Sequence, residues 1–336
     1  MNPKNFKFYV IILVFVCLSA VAAAGAIQAP EIEWERSYGG SGSDWPRAIQ
    51  QTADGGYIVV GSSDSQDGDV TLNRGQSDFW VIKLNSDGDI VWQKSLGGSG
   101  IDIAFAVQQT TDSGYIVAGA SWSSDGDVSQ NRGGADAWVV KLDSNGEIEW
   151  QKIYGGSRDD MLLDIRQTTD GGFIFTGYTY SNDGDVSGNH GDADCWVVKL
   201  DPRGAIEWQR VLGGSRHDEG NGIRQTKDGG YIVAGSTTST DGDVLKNNGG
   251  QDFWIIKLDV AGNIVWQKTY GGSRNEIGPF IEQTTDEGYI VAGRSFSNDG
   301  DVSGNRGSFD YWVIKLDVEG NLLWHPKSLI ISTQLK

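Results

Sequence analysis

The chain has 336 residues and a formal net charge of −18, with 45 Asp and Glu against 27 Lys and Arg; so acidic a surface repels phosphate backbones and anionic lipid headgroups, which excludes nucleic acid as a natural partner. Two cysteines, Cys17 and Cys195, are too few for a disulfide-built scaffold. With 48 glycines and 13 tryptophans beside 6 prolines and 2 methionines, the composition suits short strands joined by glycine turns, an all-β chain.

At the N-terminus, Lys4 and Lys7 precede an apolar run from Phe8 to about Val21, and small residues follow from Ala22 to Ala26. A basic start, an apolar middle and a small-residue exit are the layout of an export signal, so residues 1–26 read as a signal peptide or N-terminal anchor. The rival is an uncleaved span, since the apolar stretch nearly reaches the roughly 20 residues a membrane helix needs. Cys17 would be the lipid site, although bulky Phe15 and Val16 stand before it where small residues are expected. Either way the protein is expected to be secreted or held at the cell surface, touching a membrane only through this segment if it is uncleaved or lipidated. The exported part keeps one cysteine, Cys195, so no intramolecular disulfide can form in it.

Beyond the leader the chain repeats itself. Trp34, Trp92, Trp150, Trp208, Trp266 and Trp324 stand 58 residues apart without an insertion, and Trp80, Trp138, Trp196, Trp254 and Trp312 keep the same period. One unit, from Ile148, carries four strand-like runs. In IEWQKIY, Ile148 and Trp150 point one way and Glu149 and Gln151 the other, the alternation of a half-buried strand. DIRQT, GFIFTGY and DCWVVKL follow, the last with Trp196, Val198 and Leu200 on one face. Four short strands per unit, repeated around an axis, describe a propeller blade.

Turn chemistry divides the unit the same way. TDGG separates the second and third runs, and DPRG, DSNG or DVAG separates the fourth from the next first; both are tight hairpin signals with glycine supplying positive φ. The stretches around GGSRDD and DGDVSGNHG are long. A step from one blade to the next needs a long connection, so each blade is taken as runs two, three, four and the following one, with the IxQT strand innermost. Residues 27–324 are then a five-bladed β-propeller of four-stranded antiparallel blades, and 325–336 a tail. Strand alternation puts both tight hairpins on one face and both long loops on the other. The run around Trp34 becomes an additional strand, free to pair at the seam or to replace the one around Trp324. An open β-solenoid is the rival architecture.

The series GGSxxD, IxQT, TDGGYIVAG, SxDGDVxxNxG, DxWVVKLDxxG, IxWQK resembles the bacterial and archaeal surface β-propeller repeats, over residues 31 to 324. The resemblance implies export, a propeller and no assigned catalytic chemistry. All five units carry DGDV where that family often has another loop sequence, so nothing is carried over there.

The DGDV loops hold the densest oxygen donors: Asp67 and Asp69, Asp125 and Asp127, Asp183 and Asp185, Asp241 and Asp243, Asp299 and Asp301. Calcium, which takes 6 to 8 oxygens in flexible geometry, is the metal such loops suit. Asp and Asn also turn their side chains back onto their own backbone, which accounts for the same residues without an ion. A second acidic position, Asp44, Asp102, Asp160, Asp218 and Glu276, falls in the other long loop, either as a cation ring at the channel mouth or as a loop-holding residue.

Variation between units concentrates where GGS runs into the inner strand, so Trp45, Arg47, Phe105, Arg158, Met161, Arg216, His217, Glu219, Arg274 and Phe280 are the candidate ligand contacts. Aromatic residues beside arginines are what binding hot spots use. Relaxed loop drift would give the same variation. No GxSxG, phosphate loop, CxxC or HExxH is present, and none of the three histidines, His190, His217 and His325, recurs. The leading expectation is a non-enzymatic module binding an extracellular protein, glycan or cell-wall component. A polysaccharide hydrolase or lyase using an acidic pair among Asp159, Asp160, Asp218 and Glu219 is the second reading, and a passive surface-layer protein the third.

Overall fold

The structure, a computed structural model, describes residues 31–324. The leader, Cys17, His325 and the tail lie outside these residues. Residues 31–35 have no regular structure and stand apart from the unit that begins at Arg36.

Twenty strands form five four-stranded antiparallel sheets, each taken in chain order from its inner edge. The first holds β1 (Asp44–Gln51), β2 (Tyr57–Ser63), β3 (Asp78–Leu84) and β4 (Ile90–Leu96). The second holds β5 (Asp102–Gln109), β6 (Tyr115–Ser121), β7 (Asp136–Leu142) and β8 (Ile148–Tyr154). The third holds β9 (Asp160–Gln167), β10 (Phe173–Thr179), β11 (Asp194–Leu200) and β12 (Ile206–Leu212). The fourth holds β13 (Asp218–Gln225), β14 (Tyr231–Thr237), β15 (Asp252–Leu258) and β16 (Ile264–Tyr270). The fifth holds β17 (Glu276–Gln283), β18 (Tyr289–Ser295), β19 (Asp310–Leu316) and β20 (Leu322–Trp324). Side chains from β1, β5, β9, β13 and β17 line one central cavity, which makes the array radial rather than a stack. The fold is the five-bladed β-propeller the repeat predicts.

Hydrophobic burial between blades holds the array. The second strands of the middle blades carry apolar side chains on both faces, because each sheet is covered on both sides, and β3, β7, β11 and β15 are buried throughout. The two tryptophan series divide the work. Trp138, Trp196 and Trp254 are wholly buried, each donating its indole N–H to a glutamine of the outer strand, Gln151, Gln209 or Gln267. Trp92, Trp150, Trp208 and Trp266 reach the next blade and stand edge-on to Tyr115, Phe173, Tyr231 and Tyr289 at 5.6 to 6.0 Å. A side chain on Gly146, Gly204, Gly262 or Gly320 would collide with those indoles, and positive φ at each turn favours glycine as well. Near the axis, Gln109, Gln167, Gln225 and Gln283 each accept a backbone N–H from the preceding blade's tight turn, at 2.8 to 3.0 Å.

The two ends of the array differ. On the first blade, Tyr38 packs with Val70, Trp80, Ile82 and Leu84 and donates its hydroxyl to Gly88 O, as Tyr154 does to Gly204 O. On the fifth, Tyr311 is 91% exposed, whereas its counterparts Phe79, Ala137, Cys195 and Phe253 are 0% exposed against a following blade. The run around Trp34, expected as an additional strand, forms none; Leu322–Trp324 supplies the fifth sheet's outer strand instead.

Candidate functional site

Both long loops lie on one face, and the repeated aspartates tie them together. Asp67 accepts the Ser41 N–H and Asp69 the Gly39 N–H. The same two bonds recur for Asp125 and Asp127 on Ser99 and Gly97, and for Asp183 and Asp185 on Ser157 and Gly155. They recur again for Asp241 and Asp243 on Ser215 and Gly213, and for Asp299 and Asp301 on Ser273 and Gly271. These carboxylates face backbone N–H groups rather than one another. Among the described residues no group of three His, Cys, Asp or Glu is gathered closely enough to hold a metal ion. The N–H bonds, with the Ser99 and Ser215 side chains adding to them, hold Asp125 and Asp241 below the usual carboxylate range, and at Asp183 the Ser157 side chain leads with its N–H second.

The second acidic series is loop scaffold as well. Asp102 accepts the hydroxyls of Ser121 and Ser123 and the Gly98 N–H, and Asp160 and Asp218 repeat the arrangement with Thr179, Ser181, Thr237 and Ser239. All three are completely buried, as is Glu276. The acidic pair of the hydrolase reading is therefore not assembled at the channel mouth. Asp160 and Asp218 face hydroxyls, Asp159 accepts the Ala135 N–H at 2.9 Å, and Glu219 bonds to His217 and Ser236.

The ligand-contact candidates fall into separate groups. Arg47, Phe105 and Phe280 line the central cavity, about 440 Å³, with Arg47 stacked over Phe105 at 5.5 Å. Trp45 joins Tyr38, Val59 and Trp80 around an apolar groove on the first blade. Arg158 lies over Tyr180 at 5.6 Å in an open cleft with Asn182, Asn189 and His190. Arg274 repeats that stacking over Phe296 at 5.9 Å, Arg216 is exposed beside His217, and Met161 is half-buried in β9.

His217 and Glu219 belong to a polar cluster between the third and fourth blades. The imidazole Nε2 is 3.5 Å from Glu219 Oε2, Ser236 donates to Glu219 Oε1 at 2.8 Å, and Gln251 donates to Ser236 at 2.8 Å. The rings of Tyr178 and Tyr180 flank the imidazole. The bond to Glu219 raises the His217 pKa against the opposing effect of burial.

The most prominent charges of the cavity are absent from the candidate set. Asp164, 8% exposed in β9, takes Arg224 from the fourth blade at 2.6 Å and Arg166 at 3.1 Å. Arg224 also holds Glu282 of the fifth blade at 2.7 Å, so one network spans three inner strands. Burial lowers Arg166; for Arg224 the pull of burial is outweighed by Glu282 and Asp164, and its pKa is raised. One signal in the sequence marks the network's other three charges: the x of IxQT reads Gln50, Gln108, Arg166, Arg224, Glu282. The glutamines there bridge the first three blades, since Gln50 accepts the Gln109 N–H and Gln108 the Gln167 N–H.

No family model matches the chain, and no curated protein does. Among solved structures it is similar to a protein of unknown function from Bacteroides caccae, with TM-score 0.48 and 12% identity over 88% of this chain and 85% of that one. It is similar also to BamB from Moraxella catarrhalis, with TM-score 0.43 and 15% identity over 83% and 63%, and to the Pan2 WD40 domain of Neurospora crassa, with TM-score 0.41 and 11% identity over 74% of each.

Proposed function

We propose that the chain is a secreted or cell-surface binding module that engages an extracellular protein, glycan or cell-wall component, without catalysing a reaction on it. One observation carries this reading. The side chains that recur in every unit are consumed in blade packing and loop fastening, whereas arginines and aromatics that do not recur in all five units gather in the central cavity and on the long-loop rim. Arg47 over Phe105 and Arg158 over Tyr180 present flat apolar surfaces edged by guanidinium donors, which suits a sugar ring or an aromatic side chain carrying polar groups. The resemblance of the repeat to surface propellers supports the extracellular setting.

The test is the triple variant Arg47→Ala, Arg158→Ala, Arg216→Ala, compared with the parent protein for saturable binding to cells and to wall fractions, with circular dichroism reporting the fold. Loss of binding by a folded variant is expected. Undiminished binding would remove the site, and no saturable binding by the parent would leave a passive surface-layer role.

A further inference from the structure

At four blade junctions the scaffold leaves a buried acid unsatisfied. The first glycine of each GGS loop from the second blade onward, Gly97, Gly155, Gly213 and Gly271, is wedged between two carboxyl groups. One belongs to the third strand of the preceding blade (Asp78, Asp136, Asp194 or Asp252) and the other to the loop acid of the next (Asp102, Asp160, Asp218 or Glu276). A Cβ on Gly97 would lie 2.5 Å from Asp78 Oδ1 and 2.5 Å from Asp102 Oδ2, and the corresponding atoms flank the other three glycines.

The partners of these two groups are unequal. Each loop acid accepts hydroxyl and backbone donors on both its oxygens or nearly so, as described for Asp102. Each strand aspartate has one satisfied oxygen: Oδ2 accepts the N–H of Arg74, Arg132, His190 or Asn248, at 2.5 to 2.9 Å. The other oxygen, Oδ1, is enclosed and has no hydrogen-bond partner at all four junctions. Asp78 is 1% exposed and the other three 0%. An ionised carboxylate with a bare oxygen turned towards a second buried acid would carry both a desolvation cost and a like-charge cost.

We propose that these four junctions are proton sites, in which the strand aspartate is held as the neutral carboxylic acid beside its ionised loop partner. One proton is taken from solvent per junction, onto one carboxyl oxygen, and no other bond changes. The charged groups around the sites agree with an excess of negative charge. Asp102, Asp127 and Arg74 face Asp78; Asp160, Asp185 and Arg132 face Asp136; Asp218 and His190 face Asp194; Glu276, Asp301 and Lys246 face Asp252. Guanidinium groups at the first two junctions give way to the His190 ring, 2.9 Å from Asp194 Oδ2, at the third and to Lys246 at the fourth, so no single kind of cation is common to the sites. Burial, the largest influence, pushes Asp78, Asp194 and Asp252 up to about 6 and Asp136 up to about 7. These folded-state values exceed the ordinary 3.8, so the stabilisation is complete below about pH 4 and is lost as pH rises through 6 to 7.

The experiment measures the thermal midpoint of the full chain from pH 4.5 to 8, for the parent, for Asp136→Asn and for Asp310→Asn. Asparagine presents an acceptor and an N–H donor, as the protonated acid does, whereas an ionised acid has acceptors alone. The parent midpoint should fall between pH 5 and pH 8. Asp136→Asn should match the parent at pH 5, melt at or above it at pH 8, and remove the largest single share of the pH dependence among the four sites, since its carboxyl is raised furthest. Asp310, the fifth-blade counterpart, which is half-buried and has no following blade packed on it among the described residues, should leave the dependence unchanged when replaced. An infrared carboxylic-acid band at pH 5.5 that weakens in Asp136→Asn reads the proton directly. A pH-independent parent midpoint, or equal destabilisation of Asp136→Asn at every pH, would overturn the proposal. So would a midpoint at pH 8 that falls with chelator in the parent but not in Asp136→Asn, which would assign the junction to a metal ion.

Discussion

Replacing Arg224 by glutamine tests how much the cavity network contributes to joining the blades. Arg224 is 19% exposed and its partner Asp164 8%, so removing the guanidinium strands a buried carboxylate. Such a loss costs about 3–5 kcal/mol when nothing takes over. Asp164 keeps Arg166 at 3.1 Å and the Ile223 N–H at 3.0 Å, which brings the expectation for Arg224→Gln down to about 2 kcal/mol. Glu282, at the other end of Arg224, is 63% exposed, and an ion pair so open to water contributes between nothing and about 1 kcal/mol. The assay is equilibrium urea unfolding of the parent, Arg224→Gln and Glu282→Gln, comparing midpoints at constant slope. Arg224→Gln should shift the midpoint at least twice as far as Glu282→Gln. Equal shifts would show that burial of Asp164 does not set the energetics, and the account of the network would fail.

Two other perturbations probe different parts of the array. On the tight-turn face, Lys199 is 3% exposed and donates to the Leu200 carbonyl and to Asp170, whose side chain is 55% exposed. Burial opposes ionisation of Asp170, but bonds from Thr168, Lys199 and Gly172 outweigh it and hold the pKa down at about 2. The stability it contributes is present above the ordinary 3.8 and fades as pH falls towards 2; Asp170→Asn should cost up to about 1 kcal/mol at pH 7, after allowing for solvent screening, and nothing at pH 2 in the same unfolding assay. At the uncovered side of the fifth blade, Tyr311→Asp should change stability by less than about 0.5 kcal/mol, whereas Phe253→Asp at the equivalent buried position should give no folded monomer by size exclusion.

Blade order, strand limits and the division into two loop faces were legible because period and turn chemistry act locally. The 58-residue spacing locates every tryptophan except Trp45 and Trp122, and TDGG favours a tight turn. Where a residue's role depends on its neighbour in the next blade, the sequence was ambiguous. The DGDV aspartates have the composition of an ion loop, and only the position of the preceding GGS backbone shows what they bind. Asp164 and Arg224 are 60 residues apart, slightly more than one period, so no inspection within a single unit pairs them. The variable position that carries Arg166, Arg224 and Glu282, ahead of the glutamine of IxQT, sits in the most regular part of the repeat, and Asp164 stands two places before it in its unit. The Trp34 run has the pattern of an outer strand, yet strand formation needs an open sheet edge, and β20 already lies along the fifth one.

The uncovered side of the fifth blade gives the array a direction of growth. Every internal joint unites the same two surfaces, and each blade packs chiefly on its immediate neighbours, so stability accumulates joint by joint. A duplicated 58-residue segment joined after Trp324 would bring its own loop acid and tight turn, and would meet Tyr311 and Val313 as each earlier blade meets its predecessor. Gene duplication can therefore lengthen this protein by reusing an existing joint, and each added blade would bring one more inner strand to the channel.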